Sequence, residues 1–406
     1  MKILVINADC IFVNSSANLC HLAYIQGLVD AGHQVDVLCA DSQYRSIDPS
    51  MLLPESVRCF TFPGMSLYEW ASIKFGHPPA GHISADTGGT MPGRARVRRK
   101  LVQAAKRLAL SAYGIHGIYS TFVRKAAAFW ADTDYDYVLS LSTPVASHLL
   151  THNLLKKKHI RAGRWIQIWE DPWHSDVYGY NGADKIRKEE QRLLSFAEKV
   201  CYVSPLTLKN QQEKYLESAH KMYWQPLPFY YKSQEVSGFS FKHNRYGYFG
   251  DYAPAARNLA PFYEAAKETG IEVNICGNPS NLFTPTDHIH IHPRLPLDKL
   301  KPIEDSTNVL VFLCNRQGGQ IPGKIYQYSA TNKTVLFIMD GTAEEQEVLQ
   351  AYFGKFNRYI FCQNTREDIV RAIRQIEAGD LGFVKNQPLD VFNPTTTINN
   401  ILKAGS

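Results

Sequence analysis

Short apolar runs alternate with amphipathic stretches along the chain, and this alternation predicts an α/β fold. Each run is almost continuous in apolar residues, as expected of strands in a buried parallel sheet. In the first half, the predicted strands are residues 3–6, 34–39, 137–142 and 164–169, and residues 197–205 are predicted as a strand followed by a turn. Leu19 to Val29 repeat apolar residues at helical spacing and end before Gly32, which suits a left-handed helix cap. This β–α–β opening lacks the Gly-x-Gly-x-x-Gly fingerprint of nicotinamide-type sites.

A second series of the same kind follows a polar stretch, so the sequence predicts two domains. Its predicted strands are residues 246–250, 272–277, 308–314, 334–339 and 359–362. Four parts are therefore expected: a Rossmann-like domain at 1–230, a linker at 231–244, a second Rossmann-like domain at 245–385, and a crossing segment with a helix at 386–406 that packs on the first domain. Residues 62–93 are rich in Gly, Pro and His without periodicity, and we expect a long loop or a poorly ordered insertion there.

A glycine-rich segment lies between two predicted strands of the second domain. It consists of Gly318, Gly319, Gln320, Ile321, Pro322 and Gly323. A helix is predicted from Pro322 to Ala330, because proline suits the first helical turn. Backbone N–H groups at a helix N-terminus favour an anion, and Lys324 would add a positive charge there. A tight turn beside a solvated lysine is the alternative.

Two further candidates follow the first strand of the second domain. Gly250 allows a ligand to approach the backbone closely, and Arg257 can hold a phosphate through two parallel hydrogen bonds. Alone, Arg257 is more typical of a surface arginine, but together with the glycine-rich segment it predicts a phosphate clamp. The three histidines of residues 288–292 lie about 7 Å apart along one strand face, too far apart to share one zinc ion easily. We therefore predict an ordinary polar strand and no metal site.

Polar side chains of the first domain gather where predicted strands end. These acceptor-side candidates are Glu170, Asp171, Trp173 and His174 after the strand at 164–169, and Asn14 and Ser15 in the polar loop after the first strand. Ligands of open α/β sheets bind outside the carboxyl ends of strands, which favours a binding site here. A turn that caps a helix is the alternative interpretation.

The charge distribution predicts contact with an anionic surface. The net charge is +6, and one stretch without acids contains Arg94, Arg96, Arg98, Arg99, Lys100, Lys106 and Arg107. Apolar residues on its other side predict a basic amphipathic helix suited to anionic lipid; the solvated face of an ordinary helix is the alternative. The basic residues lack a recognition motif for nucleic acid, so we expect no nucleic-acid partner.

The cysteines and the hydropathy indicate the compartment. The 8 cysteines are scattered and form no Cys-x-x-Cys pair, which favours reduced thiols and a cytoplasmic location. The apolar run at the N-terminus is too short for a signal peptide. No stretch approaches the ~18 apolar residues of a membrane span. We expect a cytoplasmic protein, soluble or peripheral at the inner face of the plasma membrane.

In their order and spacing, these motifs resemble GT-B glycosyltransferases, especially the retaining family 4 type that builds bacterial surface polysaccharides. The similar segments run nearly from end to end: residues 22–35, 169–173, 203–205, 249–259 and 321–328, the last being the most specific. The resemblance implies an α/β architecture of two Rossmann-like domains facing each other across a cleft, with a C-terminal helix returning to the first domain.

The resemblance also implies roles for the candidate residues. The second domain would bind a nucleotide-diphosphate sugar as co-substrate, with no metal or other cofactor, and the first domain would bind the acceptor. Arg257 and Lys324 would stabilise the departing diphosphate, whose charge grows in the transition state. Asp171 would position the acceptor or accept its proton.

One position departs from the family pattern. The family usually has a glutamate where Gln327 stands, which accepts hydrogen bonds from the ribose hydroxyls of the donor. Glutamine keeps one acceptor oxygen but loses the charge. Weaker donor binding, altered nucleotide preference or lost activity are the possible consequences.

The sequence therefore predicts a retaining, hexosyltransferase-like enzyme that acts on a lipid-linked or polysaccharide acceptor at the cytoplasmic membrane face. Two other functions remain open. A non-catalytic GT-B-like sugar-binding or partner subunit is favoured by Gln327. A GT-B nucleotide-sugar 2-epimerase would need acids arranged about the sugar, and no such set stands out.

Overall fold

Two parallel sheets form the centre of the protein. The computed structural model describes residues 1–42, 47–74, 113–175, 184–230, 244–317 and 319–404. The first sheet has 7 strands, β1 (Lys2–Asn7), β2 (Gln34–Ala40), β3 (Arg58–Phe62), β4 (Asp134–Ser142), β5 (Arg161–Trp169), β6 (Lys199–Tyr202) and β7 (Met222–Trp224). Their spatial order is β3-β2-β1-β4-β5-β6-β7. We call this half of the molecule the first domain.

The second sheet repeats the same arrangement. Its 6 strands are β8 (Arg245–Phe249), β9 (Glu272–Cys276), β10 (Ile289–His292), β11 (Val309–Leu313), β12 (Thr334–Met339) and β13 (Ile360–Gln363), in the order β10-β9-β8-β11-β12-β13. All residues of β11 and β12 are buried, because helices cover both faces of a parallel sheet. This half is the second domain.

Helices connect the strands within each domain. Those of the first domain are α1 (Ser16–Asp30), α2 (Leu67–Lys74), α3 (Ser120–Ala126), α4 (Ala146–Lys156), α5 (Asp184–Phe196) and α6 (Pro205–Lys214). Those that follow are α7 (Ala260–Thr269), α8 (Leu297–Asp305), α9 (Lys324–Ser329), α10 (Ala343–Gly354), α11 (Arg366–Glu377) and α12 (Pro394–Ala404). Short 3₁₀ helices occupy Gly117–Tyr119, Leu216–Lys221 and Asp390–Phe392.

Each sheet reverses its strand order at one point, and this position matters for binding. In the first sheet, β1 lies between β2 and β4, with Ile3 opposite Val35 on one side and Tyr137 on the other. In the second sheet, β8 and β11 are neighbours, with Tyr246 opposite Val309. The loops after these strands diverge, and the crevice that they leave is where ligands of open α/β sheets bind.

The C-terminal helix packs on the first domain, as the sequence predicted. Where α12 begins, the Pro394 backbone lies against α1 so closely that a Cβ on Gly27 would come within 2.5 Å of it. Tyr223 of β7 donates its hydroxyl hydrogen to the carbonyl oxygen of Ile401 at 3.0 Å. The last helix therefore ties the end of the chain to the domain in which the chain began.

Several predictions about individual elements were wrong, and others are not tested. The loop predicted at 62–93 contains α2, and the helix predicted from Pro322 begins at Lys324 instead. The edge strands β3 and β7 were not predicted. The basic stretch at 94–107, the linker residues 231–243 and Gly318 lie outside the described residues, and the domain boundaries stay predictions. Within the described ranges, every helix is too short or too polar to cross a lipid bilayer.

Candidate functional site

Arg257 lies at the point where the strand order of the second sheet reverses. Its Nε donates to Asn315 Oδ1 at 2.8 Å and its Nη1 to the Asp251 carbonyl oxygen at 3.1 Å. A Cβ on Gly250 would be 3.6 Å from Arg257 Nη1, so the guanidinium lies over that glycine. The structure thus places Arg257 next to Gly250, which follows β8, and the phosphate clamp stays a prediction.

Asn315 is a site residue that the sequence analysis missed. It follows β11, is 7% exposed, and uses both ends of its amide. While its oxygen accepts from Arg257, its Nδ2 donates to the carbonyl oxygen of Gln320 at 3.1 Å. It thereby joins the arginine to the glycine-rich segment. The available signal was an asparagine directly after a buried strand that ends at the switch point.

The glycine-rich segment is an extended connection to a short helix. Gly319 has φ +69°, a conformation that favours glycine, and Ile321 is buried. The helix α9 has 6 residues and no side-chain cap, so its dipole supplies less of the positive potential than predicted. The charge here comes mainly from side chains.

Lys324 provides a second cation near this edge of the sheet. Its Nζ lies 3.8 Å from Glu304 Oε2, and its side chain is 33% exposed while that of Glu304 is 7% exposed. Burial raises the pKa of the Cys276 thiol, at the end of β9, to about 12, and the positive charge of Lys324 opposes this rise. We call Gly250, Arg257, Asn315 and Lys324 together the cation edge.

Gln327 has a structural contact of its own. It is 7% exposed, and its Oε1 accepts the backbone N–H of Tyr230 at 3.1 Å. Tyr230 is the last described residue of the first domain. The oxygen predicted to bind a ribose hydroxyl is therefore bonded to the main chain that leaves that domain.

The first domain opposes this edge with acids. Glu170 follows β5, and its Oε1 lies 3.3 Å from Nε2 of His21 on α1, with the two side chains 9% and 0% exposed. Burial raises the pKa of Glu170, although His21 partly offsets this effect. His21, another residue that the sequence analysis missed, is a polar residue within the buried stripe of α1. We call Glu170, Asp171 and His21 the carboxylate edge.

The two edges touch in this structure. Asp171 accepts a hydrogen bond from Gln320 Nε2 across the cleft. Ser204, at the start of α6, donates its hydroxyl hydrogen to the carbonyl oxygen of Gly319 at 2.6 Å. A predicted acceptor-side residue and a predicted donor-binding residue are therefore in direct contact.

Trp173 and His174 serve a different part of the first domain. Their backbone N–H groups donate to Glu190 Oε1 at 3.3 Å and Oε2 at 2.8 Å. Glu190 is buried on α5, and burial raises its pKa. The His174 ring faces Lys214, and burial together with this cation lowers its pKa. These contacts anchor the turn that carries Glu170 and Asp171.

The remaining two acceptor-side candidates shape the loop after β1. Asn14 Nδ2 donates to Asp48 Oδ2 at 2.8 Å. Ser15 is the N-cap of α1, and its Oγ accepts the backbone N–H of Asn18 at 3.1 Å. Their predicted role in acceptor binding stays a prediction.

Comparison with solved structures identifies the architecture. Sucrose-phosphate synthase from Thermosynechococcus elongatus has a TM-score of 0.60 at 12% sequence identity, over 100% of this chain and 96% of that chain. The apo form of the lipopolysaccharide outer core galactosyltransferase WaaB has a TM-score of 0.52 at 10% identity, over 100% and 99% of the two chains. The chain has a GT-B fold.

A third structure with the GT-B fold was solved with a ligand. It is described as trehalose-6-phosphate from E. coli bound with UDP-2-fluoro glucose, and it has a TM-score of 0.53 at 9% identity over 100% of this chain and 96% of that chain. No protein-family model matches the chain, and no curated protein sequence is significantly similar to it. At these identities the likeness shows the fold alone, so function has to be argued from the site.

Proposed function

We propose that the protein is a retaining glycosyltransferase of the family 4 type, which transfers a hexose from a nucleotide-diphosphate sugar to a lipid-linked or polysaccharide acceptor. The observation that carries this proposal is the position of Arg257 over Gly250, at the switch point of the second sheet. There Asn315 holds the guanidinium beside the glycine-rich segment. The acids Glu170 and Asp171 face this cation edge from the first domain.

The charges on the two edges are consistent with a donor bound at the cation edge and an acceptor bound at the carboxylate edge. A nucleotide diphosphate gains negative charge as the sugar leaves, so Arg257 and Lys324 would stabilise the transition state more than the ground state. The proposal needs no metal and no other cofactor. Asp171 would position the acceptor hydroxyl or accept its proton, because a carboxylate accepts hydrogen bonds from sugar hydroxyls.

The acceptor and the location rest on weaker support. The neighbour WaaB is named for the outer core of lipopolysaccharide, which supports a lipid-linked glycan as acceptor. The basic residues between Arg94 and Arg107 support binding to anionic lipid at the cytoplasmic membrane face. No nucleic-acid partner is part of the proposal.

One observation favours a second function, a non-catalytic GT-B-like sugar-binding or partner subunit. The oxygen of Gln327 already accepts the Tyr230 N–H, and glutamine lacks the charge of the family's glutamate. Both features weaken the expected hydrogen bonding of this residue to the ribose hydroxyls.

A thermal-shift experiment with UDP, GDP, ADP and CMP separates the two functions. A nucleotide that binds the folded state raises the melting temperature. We expect one diphosphate to stabilise the wild type, and Arg257→Ala and Lys324→Ala to lose this effect. Lys299→Ala is the control, because Lys299 is a 71% exposed lysine of the same domain. If no nucleotide shifts a well-folded wild type, the non-catalytic function is the better explanation.

A further inference from the structure

Ser204 of the first domain makes two hydrogen bonds with one hydroxyl. It is 1% exposed, and its Oγ accepts the backbone N–H of Thr207 at 3.4 Å, which caps α6. The same hydroxyl donates to the carbonyl oxygen of Gly319 at 2.6 Å. The helix cap of one domain therefore also holds the glycine-rich segment of the other.

The bond to Gly319 fixes the orientation of a peptide group. In a trans peptide the carbonyl and the following N–H point in opposite directions. Because Ser204 draws the Gly319 carbonyl toward the first domain, it also directs the Gln320 N–H away from that domain. Close approach is possible because residue 319 is glycine: a Cβ there would lie 2.9 Å from the Leu206 Cβ.

The backbone of Gln320 and two hydrogen bonds connect this peptide to the arginine of the cation edge. The carbonyl oxygen of Gln320 accepts from Asn315 Nδ2 at 3.1 Å, and Asn315 Oδ1 accepts from Arg257 Nε at 2.8 Å. A displacement of the Gly319–Gln320 peptide would thus be transmitted to the guanidinium. Ser204 is the point at which the first domain enters this path.

We propose that Ser204 is a positioning residue for the donor diphosphate. Its bond across the cleft orders the Gly319–Gln320 peptide and, through Asn315, orients Arg257. This inference rests on the proposed function, because it takes the ligand of Arg257 to be a nucleoside diphosphate.

The test compares three variants of the full chain. Ser204→Ala removes both hydrogen bonds, Ser204→Thr retains both, and Thr365→Ala removes a helix cap elsewhere. Thr365 caps α11 by accepting the Asp368 N–H at 3.2 Å, so this variant controls for the loss of a cap. If Ser204→Ala does not fold, Ser204→Gly replaces it, since glycine at an N-cap costs only a few tenths of a kcal/mol relative to serine.

Two measurements are made on each variant. Hydrogen–deuterium exchange of the ligand-free protein reports on residues 319–323, and titration calorimetry with UDP, GDP and ADP gives Kd. In Ser204→Ala we expect about fivefold faster exchange of residues 319–323 and about fivefold weaker binding of the preferred nucleotide, as for the loss of one hydrogen bond. Ser204→Thr should match the wild type in both measurements, and Thr365→Ala should change exchange in α11 alone.

The outcomes separate this inference from the proposed function. Unchanged exchange at residues 319–323 in Ser204→Ala overturns the inference, as does an equal change in Thr365→Ala. Faster exchange with an unchanged Kd also overturns it, because the peptide then has no effect on the ligand. If the wild type binds none of the three nucleotides, the proposed function and the donor role of Ser204 both fail. The exchange data then still show whether Ser204 holds the segment.

Discussion

The cation edge and the carboxylate edge occupy equivalent places in two similar sheets, yet they are built differently. Arg257 is held by uncharged groups, the amide of Asn315 and the carbonyl of Asp251. Glu170 instead lies against the imidazole of His21, with both side chains buried. The same β–α topology therefore places two cations at the carboxyl end of one sheet and a buried acid beside a histidine at that of the other.

Under the proposed function, this difference favours the nucleotide donor at one edge and the acceptor at the other. The guanidinium of Arg257 and the ammonium of Lys324 both attract an anion to the cation edge. A phosphate beside Glu170 and Asp171 would be repelled by them, whereas sugar hydroxyls can donate to carboxylates. We therefore expect the diphosphate at the cation edge and the acceptor at the carboxylate edge.

Removal of the Arg257 guanidinium should have the largest effect on nucleotide binding. Arg257→Ala should weaken binding of the preferred nucleotide diphosphate about 100-fold, since hydrogen bonds to charged groups contribute the most. The Kd of Arg257→Lys should lie between those of Arg257→Ala and the wild type, because lysine retains the charge but not the paired donors. Titration calorimetry measures both.

Arg245→Ala is the matched control for Arg257. Arg245 begins β8 at the opposite edge of the same sheet, where it pairs with Glu272 at 3.3 Å. Arg245→Ala should leave the Kd of the nucleotide diphosphate unchanged. Equal losses in the two arginine variants would mean that general positive charge, and not the position of Arg257, attracts the nucleotide.

Removal of the Asn315 amide should have a smaller effect on nucleotide binding. Asn315→Ala retains the Arg257 side chain but removes the amide that holds it and links it to Gln320, and we expect about tenfold weaker nucleotide binding. Asn308→Ala, at the other end of β11, is the control, since Asn308 accepts the Arg245 N–H at 2.6 Å and lies away from the cleft. If Asn315→Ala binds as tightly as the wild type, Arg257 does not depend on this amide.

The interior strands could be predicted from the sequence, but some edge strands could not. Strands such as β11 are continuous apolar runs because both of their faces are buried. The edge strand β3 is partly exposed along its whole length, so its sequence shows no such run. β7 has 3 residues, too few for a period to be recognised.

Candidate side chains could be recognised from the sequence where they lie soon after a strand. Contacts between residues far apart in the sequence could not. Arg257 and the glycine-rich segment became candidates from their residue types and positions. The partnership of Arg257 with Asn315 joins residues 58 positions apart and appears only once β8 and β11 pair. His21 was missed because a histidine in an apolar helix stripe has the same sequence pattern whether it faces solvent or a buried acid.

The smallest effect is expected at the carboxylate edge, as a pH dependence of stability. Burial raises the pKa of Glu170, whose carboxyl group lies beside His21 and near Cys20 and Tyr24. A raised folded-state pKa contributes stability below the unfolded pKa, and this is lost as the pH rises through the folded pKa. The stability of Glu170→Gln relative to wild type, measured by the melting temperature, should therefore increase from pH 4 to pH 8.

Glu189 provides a control with the opposite sign. Burial opposes its ionisation, but hydrogen bonds and charges from Arg192 and His116 outweigh burial and lower its pKa. A lowered pKa contributes stability above the unfolded pKa, and this is lost as the pH falls through the folded pKa. Glu189→Gln should therefore become less stable relative to wild type as the pH rises. Parallel slopes for the two variants would show that Glu170 is not the buried acid that distinguishes the carboxylate edge from the cation edge.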